Sequence, residues 1–180
     1  MLGAKANVNQ ARQDGATPLF LATMFRNEAC ANTLIASKAN VNAYMPGMVP
    51  PLNYAAWFGF LSTVKKLIAA GAEINPVLGV DCPPALNLAC LSRQEHVIRL
   101  LIDAGVDVSK VYAGRGPKGT PLMAVLEGQP LGNQLGIVEA LLAAGADPKR
   151  GADGKNALDL AKALVNQQIL SALNRAAAKE

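Results

Sequence analysis

The sequence predicts an all-α solenoid: antiparallel helix pairs stacked side by side and joined by β-hairpin-like loops. A short phrase recurs at Thr17-Pro18-Leu19, Pro50-Pro51-Leu52, Pro84-Ala85-Leu86, Thr120-Pro121-Leu122 and, more loosely, Asn156-Ala157-Leu158, so that its leucines lie 33, 34, 36 and 36 residues apart. A period in that range marks small units that share one continuous core with their neighbours. Composition agrees. Of 180 residues 51% are apolar but only 4% aromatic, so alanine and leucine fill the interior, as slim, closely packed helices require. In such a stack, function belongs to a surface rather than a pocket.

The elements follow in order. Leu2 to Asn9 match Ala36 to Asn42, the closing third of a unit, so residues 1–12 are expected to be the end of a truncated repeat within a longer parent chain. Repeats are expected at 13–45, 46–79, 80–115 and 116–152, with a capping repeat at 153–180. In the second of these, Pro51 sits where a helix begins, because its missing amide proton would be unpaired there anyway. Leu52, Ala55 and Ala56 then fall on one helical face and Gly59 ends the segment. Val64, Leu67 and Ile68 repeat the spacing in a second helix, which Gly71 stops. Leucine and capping position are 19 residues apart from Leu19 to Lys38, Leu52 to Gly71 and Leu86 to Gly105, but 23 apart from Leu122 to Gly145. The excess falls near residues 128–133, rich in Gly and Pro, and predicts an enlarged turn. Leu158, Ala161, Leu164 or Val165, Ile169 and Leu173 carry the apolar pattern of the last unit, before the chain turns polar as a cap should.

At Asp14-Gly15-Ala16-Thr17-Pro18-Leu19, Leu101-Ile102-Asp103-Ala104-Gly105 and Leu141-Leu142-Ala143-Ala144-Gly145-Ala146-Asp147 the sequence resembles the ankyrin repeat family, and the resemblance extends over nearly the whole chain. It implies an ankyrin-repeat solenoid. The family's usual histidine after the leucine is replaced at Phe20, Asn53, Asn87, Met123 and Asp159, which implies the loss of a hydrogen bond that stiffens the neighbouring turn. The alanine-rich helices look like those of bacterial members.

Several function classes are disfavoured. The charge of +4 is scattered, with no Lys or Arg run longer than two, whereas a nucleic-acid face concentrates its charge. Cys30, Cys82 and Cys90 form neither a CxxC pair nor a disulfide framework and suggest a reducing compartment. No apolar run reaches membrane length and no signal peptide opens the chain, so a cytoplasmic protein with no membrane partner is expected. Gly114-Arg115-Gly116-Pro117-Lys118-Gly119 spells a dinucleotide fingerprint, yet the repeat phase places it in a hairpin between two units instead of a βαβ turn. Capture of an anion there by Arg115 and Lys118 is the weaker variant. Cys90 occupies the small buried position that Thr23 and Ala56 fill elsewhere, and His96 lies on an outward face, so no nucleophilic pair is expected. No metal-ligand pattern appears, and neither a cofactor nor an enzymatic activity is expected.

A binding surface is the remaining reading. The residues five and six positions after each leucine belong to first helices expected to line a concave face: Met24 and Phe25, Trp57 and Phe58, Leu91 and Ser92, Glu127 and Gly128. The first three pairs make an apolar stripe, beside which Tyr44, Met45, Met48 and Val49 form an unusually oily hairpin tip. Aromatic side chains of this kind are what interface hot spots are built from. The expected protein is a monomeric scaffold that binds a partner protein or peptide through an apolar or aromatic anchor at Met24, Phe25, Tyr44, Met45, Met48, Trp57, Phe58 and Leu91. The alternative is a regulatory or targeting arm of a longer enzyme or effector. The opposing possibility for the rings is that they fold back and only thicken the stack.

Overall fold

A computed structural model of the protein describes residues 6–45, 47–76, 82–114, 118–127 and 133–178. Its helices run in chain order α1 (Pro18–Met24), α2 (Glu28–Ala36), α3 (Pro51–Phe58), α4 (Leu61–Ala69), α5 (Ala85–Leu91), α6 (Glu95–Asp103), α7 (Pro121–Leu126), α8 (Gln134–Ala143), α9 (Ala157–Ala163) and α10 (Gln167–Ala177). Each odd-numbered helix packs on the even-numbered helix that follows it. The odd helices form one row, α1 on α3 on α5 on α7 on α9, and the even helices form a second row behind it.

Local chemistry sets the helix starts. Pro18, Pro51 and Pro121 occupy the first turn, and the Thr17 and Thr120 hydroxyls accept from the Phe20 and Met123 amides. Asn27, Asn133 and Asn166 cap α2, α8 and α10 in the same way. The repeat leucines Leu19, Leu52, Leu86 and Leu122 are buried at 1% exposure or less. Each contributes about 1.5–3 kcal/mol by leaving water. Leu158 stays half-buried because among the described residues no further repeat packs on α9. Leu164 and Val165, which the spacing assigns to the apolar pattern, are instead exposed in the turn between α9 and α10.

Polar clips hold the register between repeats. Asn42 Oδ1 accepts from the Glu73 amide at 2.9 Å while its Nδ2 donates to the Gly71 carbonyl at 3.0 Å. Asn75 does the same one repeat later, with the Asp107 amide and the Gly105 carbonyl. Asn9 clips the Asn40 amide, and Ser109 takes the corresponding place against Asp147 and Gly145.

The expected loss of a stiffening hydrogen bond at the replaced histidines needs correction at three positions. Asn53 Nδ2 donates to the Pro83 carbonyl at 2.7 Å and Asn87 Nδ2 to the Gly119 carbonyl at 3.0 Å. Both acceptors lie just ahead of the next first helix, so each amide ties its repeat to the following one. Asp159 closes a capping box with Asn156. Only Phe20 and Met123 are apolar replacements, and both are buried.

The loops are hairpin-like. Tyr112 and Gly119 exchange both backbone hydrogen bonds, at 2.9 and 2.8 Å. The strands β1 (Gly151–Ala152) and β2 (Lys155–Asn156) pair antiparallel around Asp153 and Gly154. Lys118 and Asp153 bridge these two loops at 3.0 Å. The enlarged turn expected at residues 128–133 lies outside the described residues except for Asn133. On its described side Gln134 Nε2 closes the gap by donating to the Val125 carbonyl at 2.8 Å.

Candidate functional site

The C-terminal ends of the odd-numbered helices carry the side chains singled out above. Met24 is the last residue of α1 and Phe25 its C-cap; Trp57 and Phe58 end α3; Leu91 ends α5 and Ser92 caps it. Phe25 is 71% exposed and Trp57 44%, whereas Met24, Phe58 and Leu91 are half-buried. Tyr44 is 38% exposed, with Met45, Met48 and Val49 half-buried beside it. Glu127, at the equivalent place on α7, is half-buried, and burial raises its pKa above the ordinary carboxylate value. Its neighbour Gly128 lies outside the described residues.

The rings divide into two groups. Phe20 meets Tyr54 edge-on at 5.9 Å, Tyr54 stacks with Phe58 at 6.2 Å, and Phe58 tilts against Phe60 at 5.7 Å. This continuous chain consolidates the first two repeats, and offset or edge contacts of this kind add about 0.5–1.5 kcal/mol each. Phe58 therefore folds back on its neighbours, while Phe25 and Trp57 project into solvent. The Arg26 guanidinium lies 4.8 Å from the centre of the Phe58 ring. Gly59, which follows Phe58, has φ of 74°, a left-handed conformation that Arg26 and Arg93 also adopt at the equivalent positions, and a Cβ there would displace the end of the Gln94 side chain of the next repeat.

Between α3 and α5 the surface dips into an apolar groove of about 290 Å³, lined by Val49, Tyr54, Trp57, Phe58, Pro83 and Leu88. Tyr54, Pro83 and Leu88 were not singled out by the sequence. Tyr54 and Leu88 both stand two positions after a repeat leucine, and that shared phase was the available signal. Met24, Phe25, Tyr44, Met45, Met48 and Leu91 are not among the groove's lining residues.

Chemistry elsewhere is sparse. Cys90 is fully buried and burial pushes its thiol pKa up, away from the thiolate that a nucleophile needs. Cys82 is pushed up to about 11 by burial, against the opposing pull of Lys110. His96 is exposed on α6. Glu95 is held below the usual carboxylate range by hydrogen bonds from Arg99 and Asn133. Among the described residues no group of three His, Cys, Asp or Glu is placed to hold a metal ion, and no helix is long and apolar enough to cross a membrane. Residues 115–117 of the glycine loop lie outside the described residues; its flanks Tyr112 and Gly119 are paired as a hairpin, not as the strand-to-helix turn of a dinucleotide site.

The family model for ankyrin repeats (3 copies) matches residues 1–78 and 52–152. The chain belongs to the ankyrin repeat family. Among solved structures it is similar to an ankyrin repeat domain from Acinetobacter baumannii AYE, with 30% identity over 97% of this chain and 88% of that one and a TM-score of 0.85. The human ASB11 ankyrin repeat domain shares the fold at 23% identity and a TM-score of 0.78, over 96% of this chain and 74% of that one. No curated protein matches the chain. Ankyrin repeats are generally protein–protein interaction modules and non-enzymatic binding scaffolds.

Proposed function

We propose that this ankyrin stack is an interaction scaffold whose partner, a protein or peptide with an apolar or aromatic anchor, docks across the concave face formed by α1, α3 and α5. The observation that carries the reading is the solvent exposure of Phe25 and Trp57 at equivalent ends of adjacent helices, next to an apolar groove. Large apolar side chains held in water at the ends of adjacent helices cost solubility unless a partner covers them. In this proposal the exposed Tyr44 and the half-buried Met45 and Met48 add to the docking surface, together with the half-buried Met24, Phe58 and Leu91. Partner binding is the sole activity proposed, without cofactor, nucleic acid or membrane.

The test is affinity capture with quantitative mass spectrometry, comparing wild type with Phe25→Ala/Trp57→Ala. Both residues are exposed, so the double variant keeps its melting temperature within a few degrees. Loss of a partner that wild type retains supports the reading. Equal recovery by both proteins removes it.

A further inference from the structure

Resting on the docking reading above, we propose that the groove between the second and third repeats receives the apolar side chain of an extended partner segment that carries an Asp or Glu within two positions of that anchor, the acid pairing with Arg26. The volume argues for a side chain. At about 290 Å³ and open on one side, the groove falls at or below the lower end of small-molecule pockets, which run roughly 300–1,000 Å³ and enclose most of their ligand. Its walls are aromatic and aliphatic, so desolvation favours an apolar occupant.

The charge pattern supplies the acid. Helices α1, α3 and α5 contain no Asp, Glu, Lys or Arg. The charged residues in the turns directly after them are Arg26 and Arg93, at the same repeat position on either side of Gly59. Arg26 forms no ion pair among the described residues, and its guanidinium rests at 4.8 Å from the Phe58 ring centre, the ring that also lines the groove. A guanidinium held over a ring keeps N–H donors on its edges, in the fork that matches a carboxylate. The acids that open the following helices have partners of their own: Glu28 shares the Thr63 hydroxyl proton with Asn32, and Glu95 is held by Arg99 and Asn133. Arg26 is therefore left to offer its N–H edges to an incoming carboxylate. Groove and guanidinium share Phe58, a separation that an extended segment covers in one or two residues at about 3.3 Å per residue.

The test selects from a random 12-residue peptide display library on the full chain, on Arg26→Glu and on Trp57→Ala, with circular dichroism melts to establish that all three are folded. Wild type should enrich an aromatic or branched apolar residue with an acid within two positions. Arg26→Glu should exchange the acid for Lys or Arg and weaken a selected acidic peptide at least about tenfold in fluorescence anisotropy, less so at high salt. Trp57→Ala should lose the apolar consensus. Apolar enrichment without a neighbouring acid, or an acid preference unchanged in Arg26→Glu, overturns this proposal and leaves the docking reading standing. Should wild type enrich no apolar consensus, or should Trp57→Ala retain it, both fall.

Discussion

Asn53 and Asn87 stand where the family has histidine, and each gives an amide proton to the carbonyl that opens the next repeat. Each also leaves its Oδ1 buried without a partner among the described residues, which offsets part of what the hydrogen bond contributes. A second residue-scale compromise is Lys38. It has φ of 65° at the capping position that glycine fills at Gly71, Gly105 and Gly145. A side chain in the left-handed region costs about 1–2 kcal/mol, and the Lys38 side chain is exposed. Lys38→Gly is therefore expected to raise the unfolding free energy by about 1 kcal/mol in urea titration, after the greater freedom of glycine in the unfolded chain is deducted. A lowered midpoint would mean that Lys38 makes compensating contacts. The capping role of Lys38 was legible from the 19-residue spacing alone. The amide ties were not, because they depend on which carbonyl of another repeat comes to rest beside each side chain.

At the scale of elements, helix boundaries followed from local signals: proline at the first turn, threonine and asparagine caps, and small residues at packed positions. The clips between loops are long-range counterparts of those caps. Asn42 and Asn75 each satisfy one amide and one carbonyl of the next repeat, so repeat register depends on them more than on any exposed ion pair. Asn42→Ala is expected to cost about 1–2 kcal/mol in urea unfolding, with faster amide exchange at Glu73. A loss of about 0.5 kcal/mol or less, the range of ordinary surface substitutions, would relegate the clip to decoration. Sequence periodicity placed Trp57 and Phe58 together on the interaction surface, yet only Trp57 projects. Phe58 is drawn back by Tyr54 and Phe60, rings outside the positions that periodicity flagged.

Across the whole molecule, the stack sorts its surface by repeat. The first three inner helices are uncharged and end in aromatic or aliphatic side chains, whereas α7 is capped by Glu127 and α9 carries Asp159 and Lys162, although Leu164 and Val165 are exposed in the turn after it. The even-numbered helices carry charged side chains such as Lys65, Lys66 and Arg99, suited to water. A partner that reads the apolar end would therefore leave the row of even helices open. Fold class and the approximate position of this surface were legible because both depend on a repeated spacing. The groove was not, since two neighbouring repeats must meet to form it. The most direct measurement is site-specific photocrosslinking, with benzoylphenylalanine in place of Phe25, Trp57 or, on the opposite row, Lys65, in the cells that make the protein. Adducts of one common partner at Phe25 and Trp57, and none at Lys65, are the predicted result; adducts at Lys65 with none at Phe25 and Trp57 would contradict the account.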